Sequence, residues 1–453
     1  MGLNNDIEHR FGSSAVFEMG AWRPWLDAHL NRELGVGALS RGWRDPPSLV
    51  TIDVLLEELG QPQRRYESIL IGGTNGKTTV TRTASTLLHA VGLRVGTFTS
   101  PHLDRLNERI VIDGEPVTDQ VLARLFARIA AIEVRMSLAL SWFEIMTAAA
   151  MMWFASREVD VAVIEVGLGG ENDATAVVMP ALVTLTNIDL DHTEFFGDSR
   201  PDVASAEAAI ITAGYGLVLG ESDPSLRGCF TRRLPHPLWI RDVDFGVSKR
   251  VVTPGGQVLA LETASASYAD VTTGLRGRQH AENISIALMA AECVAGPLPD
   301  LAVRHVLSDL RAPGRLELVC SEPRVLVDGA HNPAGARALA ENLSESFPGG
   351  RRTFVIGTSA DKPAREVVTA LEIRTSDQVV CCSADSPRAL PAADLVEIVH
   401  AVSPLTAVQA AHGVRDAVHR AVDAIPRSDL IVITGSLYVV AEARQVFRDL
   451  IRP

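Results

Sequence analysis

The sequence predicts an α/β protein built on mainly parallel sheets covered by helices, and three observations carry that expectation. Near-continuous apolar, β-branched runs recur with helix-length segments between them: SILIGG, LRVGTFTS, VDVAVIEVG, ALVTLTNID, RVLVDGA, RTFVIGTS, QVVCCSA and DLIVITGS. Such runs suit strands buried on both faces, as in parallel sheets. Most end in Gly, Ser, Asn or Asp, which places polar loops at strand carboxyl ends, where open α/β sheets bind ligands. The 453 residues also exceed one ordinary core, since domains average roughly 150 residues.

Taken in order, the first 45 residues hold AWRPW and SRGWRDPP. Their tryptophans and arginines either form an aromatic, anion-binding pocket or cap the first domain, and capping is the simpler reading. SILIGGTNGKTTVTRTASTLL follows as strand, glycine-bearing turn and helix. From Gly216 to Gly274 the short runs GLVLG, VTPGGQVLALET and YADVTTG suggest an antiparallel excursion. A helical stretch from Asn283 stops at AECVAGPLPD, where Gly296, Pro297 and Pro299 mark a linker. Residues 1–296 are therefore expected to form an N-terminal domain and residues 297–453 a smaller α/β domain.

Composition removes several classes. The apolar fraction of 47% and charged fraction of 21% fit a globular chain without disorder bias. No apolar run approaches the roughly 18 residues of a membrane span, and MGLNNDIEHRFG lacks a secretory apolar region, so a cytoplasmic chain is expected, working as a monomer. A formal charge of −13 argues against a nucleic-acid-wrapping surface, so any anionic ligand must be held locally. Cys229, Cys293, Cys320, Cys381 and Cys382 form no CxxC pair, which indicates neither a zinc site nor a disulfide framework. Lysine occurs only at Lys77, Lys249 and Lys362 in a chain whose other basic charges are arginine.

Lys77 lies in the strongest motif. Backbone N–H groups of Gly73, Thr74, Asn75, Gly76 and Lys77 at a helix N-terminus can cradle phosphates, Lys77 can reach the outer phosphates, and Thr78 or Thr79 can ligate Mg²⁺. A plain strand-to-helix turn would not require the lysine and threonines together. The strict P-loop pattern fails at its first glycine, where Ile71 stands.

GTNGKTT resembles the shortened P-loop of the Mur ligase superfamily, and Leu70 to Gly92 is similar to the first signature of the folylpolyglutamate synthase/dihydrofolate synthase family. That family usually has glycine at the place of Thr78. VIEVGLGGENDATAVV, SPHLDRLNERI, WFE and TNIDLDHTEFFGDS resemble further family blocks. RQHAENISIAL, APGRLE, VDGAHNPAGARAL, GTSADKP, SPRAL and TGSLYVVAEAR continue the similarity to residue 444.

The resemblance implies a Mur-ligase-like P-loop ATPase domain and a C-terminal Rossmann-like ligase domain. It implies ATP and two Mg²⁺ ions as cofactors, a folate-type carboxylate and L-glutamate as substrates, and an acyl-phosphate intermediate. It implies catalytic roles for Lys77, Glu165, His192 and His331. Metal ligands are expected at Thr79, Ser100, Glu165 and His192, with Asn283 near adenine, Arg315 at the phosphates and Asp328 at the ribose. Relatives carry a carbamylated lysine in a stretch like E-K-A-G-I-I, which here reads A-E-A-A-I-I from Ala206 to Ile211. Glu207 then either supplies metal-binding oxygens itself or is a solvated helix residue. Rival classes are a Mur-type ligase for another carboxylate and amine, a P-loop phosphotransferase and a non-catalytic nucleotide-binding paralogue.

Overall fold

The structure, a computed structural model, describes residues 22–31, 48–211, 215–233, 235–424 and 429–451. The apolar runs become strands β1 (Glu67–Gly72), β2 (Val95–Phe98), β3 (Ile110–Ile112), β4 (Glu115–Pro116), β5 (Val161–Glu165), β6 (Leu182–Leu185), β7 (Gly216–Leu219) and β8 (Leu238–Ile240). They form one eight-stranded sheet in the order β4-β3-β2-β5-β1-β6-β7-β8. Every pairing from β2 to β8 is parallel, while β3 and β4 form an antiparallel edge.

Alternate residues of these strands feed separate cores. On β1, Leu70 enters a cluster with Phe98, Phe126, Ile145 and Phe154. Its neighbours Ile69 and Ile71 enter another with Val80, Leu87, Ile284 and Leu288. Burial on both faces is the physical reason these runs read as continuously apolar. Helices α1 (Lys77–Ala90), α2 (Trp142–Ser156), α3 (Arg200–Glu207) and α4 (Arg278–Ala295) belong to this domain, α1 and α4 packing against each other beneath the sheet.

The antiparallel excursion is shorter than expected. GLVLG is β7, a parallel member of the main sheet, because Leu217 and Leu219 bury into the same core as Leu185. Only β9 (Gly246–Thr253), β10 (Gly256–Glu262) and β11 (Ser267–Thr273) form a separate antiparallel sheet.

The second domain contains β12 (Glu317–Ser321), β13 (Arg324–Val327), β14 (Arg352–Ile356), β15 (Gln378–Cys381), β16 (Ala407–Ala410) and β17 (Leu430–Thr434). Their order is β12-β13-β17-β14-β15-β16, parallel except for β12. Clusters around Phe354, Leu343 and Val432 on one face and Val355, Ile433 and Phe447 on the other cover this sheet. Helix α5 (Pro333–Ser346) follows β13.

The change of core falls later than the proline-rich linker. Residues 300–309 form a helix whose Val303, Val306 and Leu307 are buried with Leu87 and Val271 of the N-terminal domain. Leu310 still belongs to that cluster, whereas Leu316 joins the C-terminal one. We therefore place the boundary between these two leucines and not at residue 297. Prolines mark a break in helix, and burial decides which core the next helix joins.

Trp22 is 3% exposed and packs on Phe126, and Trp25 packs on Phe126 and His29, so both take the capping role. SRGWRDPP lies outside the described residues. No helix among the described residues is long and apolar enough to cross a membrane.

Candidate active site

The loop between β1 and α1 lies at the sheet's centre, where β1 is flanked by β5 and β6. Connections diverge to either side there, opening the crevice that ligands occupy in parallel sheets. Gly73 and Gly76 adopt φ of +109° and +85°. A Cβ on Gly73 would lie 2.3 Å from Thr186 Oγ1, and one on Gly76 would lie 2.5 Å from Asn283 Oδ1, so neither position admits a side chain without movement. The β6 loop fixes the turn from outside: Thr74 N–H donates to Asn187 O at 2.8 Å and Asn75 N–H to Asn187 Oδ1 at 2.9 Å. Lys77 Nζ folds over the loop, donating to Gly73 O at 2.7 Å.

Glu165 ends β5 beside this turn and is 2% exposed. Thr78 Oγ1 donates to its Oε1 at 2.8 Å and Ser100 N–H to its Oε2 at 3.0 Å. Burial pushes its carboxyl up, opposed by Lys77, these two hydrogen bonds and Arg82. Of the two threonines, it is Thr78 whose hydroxyl meets the carboxylate. Hard oxygen donors beside a phosphate-binding turn suit a divalent cation such as Mg²⁺. Among the described residues, no three His, Cys, Asp or Glu side chains converge as a metal-binding group, so Glu165, His192 and Glu207 do not form a preassembled triad.

His192 has a left-handed backbone, φ +50°, and its N–H donates to Asp191 Oδ1 at 2.9 Å. Asp191 is the main residue that motif reading left without a role. Lys362 Nζ donates to its Oδ1 at 2.6 Å, Asn332 Nδ2 to its Oδ2 at 3.0 Å, and His331 Nε2 lies 3.4 Å from that oxygen. All three partners come from the C-terminal domain. Burial pushes the Asp191 carboxyl up, but His331, His192 and Lys362 outweigh it and hold the group well below the usual carboxylate range. Asn332 also caps α5 and donates to Asn75 Oδ1 at 3.1 Å, linking the second domain to the phosphate-binding turn. The rarity of lysine was the signal that could have drawn attention to Lys362.

Asp328 directly follows β13, with Oδ1 accepting from Ala330 N–H and Oδ2 from Leu316 N–H. Burial pushes its carboxyl up against the opposing charge of Arg315. Glu207 is 3% exposed, which rules out the solvated-helix alternative. All the residues expected at the site except Gly73 line one cavity of about 1570 Å³ between the domains. Phe143, Phe195 and Phe196 line the same cavity.

His280 also faces this cavity and is 3% exposed. Burial first, then Arg315, pushes its imidazole from 6.5 down to about 4. The unfolded chain therefore takes up this proton at higher pH than the native state, and native stability falls as pH drops through that window. Denaturant titrations at pH 7 and 4.5 should include a loss of roughly 2 kcal/mol from this residue. His280→Asn, which binds no proton, should remove that part. An identical acid loss in the variant would contradict the assignment.

Two family descriptions match the chain: the Mur ligase middle domain over residues 71–291 and the Mur ligase glutamate ligase domain over residues 314–437. A dihydrofolate synthase/folylpolyglutamate synthase of Mycobacterium tuberculosis is 35% identical, the match covering 89% of this chain and 91% of that protein. The chain belongs to the folylpolyglutamate synthase/dihydrofolate synthase family. It is an ATP-dependent ligase. The structure of Mycobacterium tuberculosis folylpolyglutamate synthase complexed with ADP superposes with a TM-score of 0.86 at 34% identity, covering 95% of this chain and 98% of that one. The bifunctional Yersinia pestis enzyme with Mn, AMPPNP and L-glutamate bound gives 0.81 at 28% identity, covering 96% and 99%. The N-terminal ATPase and C-terminal ligase domains of the family account for the two sheets described above.

Proposed function

We propose that this folylpolyglutamate synthase/dihydrofolate synthase relative joins the amine of L-glutamate to a folate-type carboxylate, forming ADP and phosphate. The observation that carries this reading is the single cavity shared by the phosphate-binding turn, the Phe143, Phe195 and Phe196 rings and the C-terminal Lys362. Aromatic walls suit a flat heteroaromatic acid, whose carboxylate then reaches the nucleotide end.

An oxygen of the acid attacks the γ-phosphorus of ATP, the bridging P–O bond breaks and ADP leaves. The amine nitrogen then attacks the acyl carbon of the resulting acyl phosphate, phosphate departs and the nitrogen loses a proton. Lys77 stabilises charge on the transferring phosphoryl group, while the N–H groups of Gly76 to Thr79 hold the phosphate chain. Thr78 and Glu165 would hold the magnesium accompanying the nucleotide, and Ser100, Glu165 and His192 would hold a second. Bound there, magnesium screens repulsion between the acid and ATP. Asn283 would lie against the adenine, Arg315 near the phosphates, and Asp328 at the ribose. His331, Asn332 and Lys362 hold the domains together on Asp191 and so keep water from the acyl phosphate.

ADP release should require both dihydropteroate or a reduced folate and L-glutamate. With ¹⁸O in the acid's carboxylate, label should appear in inorganic phosphate. Label in AMP would replace the acyl phosphate with an adenylate, and ADP release with the acid alone would favour a phosphotransferase.

A further inference from the structure

Glu207 ends α3, is nearly buried and lines the interdomain cavity. Its Oε2 accepts the N–H of Gly73 at 2.9 Å. The opposite side of the carboxylate lies against the glycine loop following Glu165, where a Cβ on Gly169 would come within 2.8 Å of Oε1. A Cβ on Gly72 would lie 3.2 Å from Oε2. Two backbones thus approach the carboxylate at glycines, one on each side. Gly73, alone among the turn residues from Gly73 to Thr79, does not line the cavity.

A nearly buried carboxylate beside a site for a polyanion is costly unless its oxygens are satisfied. The Gly73 amide satisfies one of them with a charge-assisted hydrogen bond, about twice as strong as a neutral one. That bond turns the first amide of the loop away from the nucleotide and fixes where the chain enters the turn. The Lys77 ammonium donates to the carbonyl of the same Gly73, so both polar groups of this glycine are held. With its entry fixed, the turn presents the amides of Gly76 to Thr79 without first losing conformational freedom.

We propose that Glu207 is a positioning residue that locks the phosphate-binding turn through Gly73, and that it acts on nucleotide affinity and not as a metal ligand. This rests on reading Gly73 to Thr79 as the phosphate site. Glutamine at this position keeps an oxygen acceptor, whereas alanine removes it.

The decisive experiment is calorimetric titration of the intact protein with ADP in EDTA, where no divalent ion contributes. Glu207→Ala should weaken ADP binding about tenfold or more, the worth of a charged hydrogen bond, and Glu207→Gln should restore it to within about threefold. In turnover assays, Glu207→Ala should raise the KM for ATP by a similar factor, with kcat and the Mg²⁺ requirement little changed. If Glu207→Ala does not fold, Gly169→Ala tests the same contact by pushing against the carboxylate, and it should weaken ADP binding in the same direction. Unchanged ADP affinity in EDTA with a raised Mg²⁺ requirement in both Glu207 variants would make the residue a metal ligand and overturn the proposal. A lower melting temperature with unchanged ADP affinity would overturn it too, leaving a packing role. Lys77→Ala in the same titration reports on the phosphate site itself, so failure of that reading is seen separately.

Discussion

Lys77→Ala should leave a folded protein whose ATP turnover falls by about a thousandfold or more. The side chain is half-buried and belongs to no apolar cluster; its ammonium donates to the loop carbonyls of Gly73 at 2.7 Å and Thr74 at 3.4 Å and bears on the Glu165 carboxyl through space. Those carbonyls have little to lose when it goes. Charge on the transferring phosphoryl group has much to lose, because it develops in a cavity walled by Phe143, Phe195 and Phe196, where each fixed cation counts for more than in water. Melting temperature should shift by only a few degrees, of the order that roughly 1 kcal/mol produces. Lys77→Arg should not rescue, since a planar guanidinium cannot fold over the turn as the ammonium does. Coupled measurement of ADP release beside thermal denaturation separates the two effects. Turnover within about threefold of wild type would remove Lys77 from the chemistry.

The parts of this molecule that sequence makes legible share a physical cause. β1, β5, β13 and β17 are buried on both faces, so their apolar runs are unbroken, and Thr74 after β1, Glu165 at the end of β5, Asp328 after β13 and Ser436 after β17 line the cavity. Local geometry likewise betrays the phosphate turn, because Gly73 and Gly76 must be glycine and Lys77 must follow at once. What pattern could not supply were relations between distant segments. Val303 and Leu307 read equally well as the start of a second domain, and only their burial beside Leu87 assigns them to the first. Glu207 could be solvated or metal-bound on sequence grounds, and its bond to Gly73 spans 134 residues. Asp191 sits in a motif whose histidine draws attention, while its own partners lie 141 and 171 residues further on.

Those partners underlie the second large effect expected. Lys362→Met should lower amide formation by about a hundredfold, while the KM for ATP changes little. Asp191 and Lys362 side chains are each 10% exposed, and their 2.6 Å contact joins the two domains. Removing one member of a buried pair strands the other, at a cost of roughly 3–5 kcal/mol. Here His331 and Asn332 still reach Asp191, so the loss falls on domain closure more than on folding. Arg250 paired with Glu345 and Arg448 paired with Asp104 hold the domains together elsewhere, which keeps the variant compact. A looser cleft admits water to the acyl phosphate before the amine attacks it. The variant should therefore release more than one phosphate per amide formed, where the wild type releases one. Measuring phosphate and product mass in the same reaction gives that ratio directly. A ratio that stays at one with a normal rate would mean that the Lys362 contact to Asp191 is not what closes the active site.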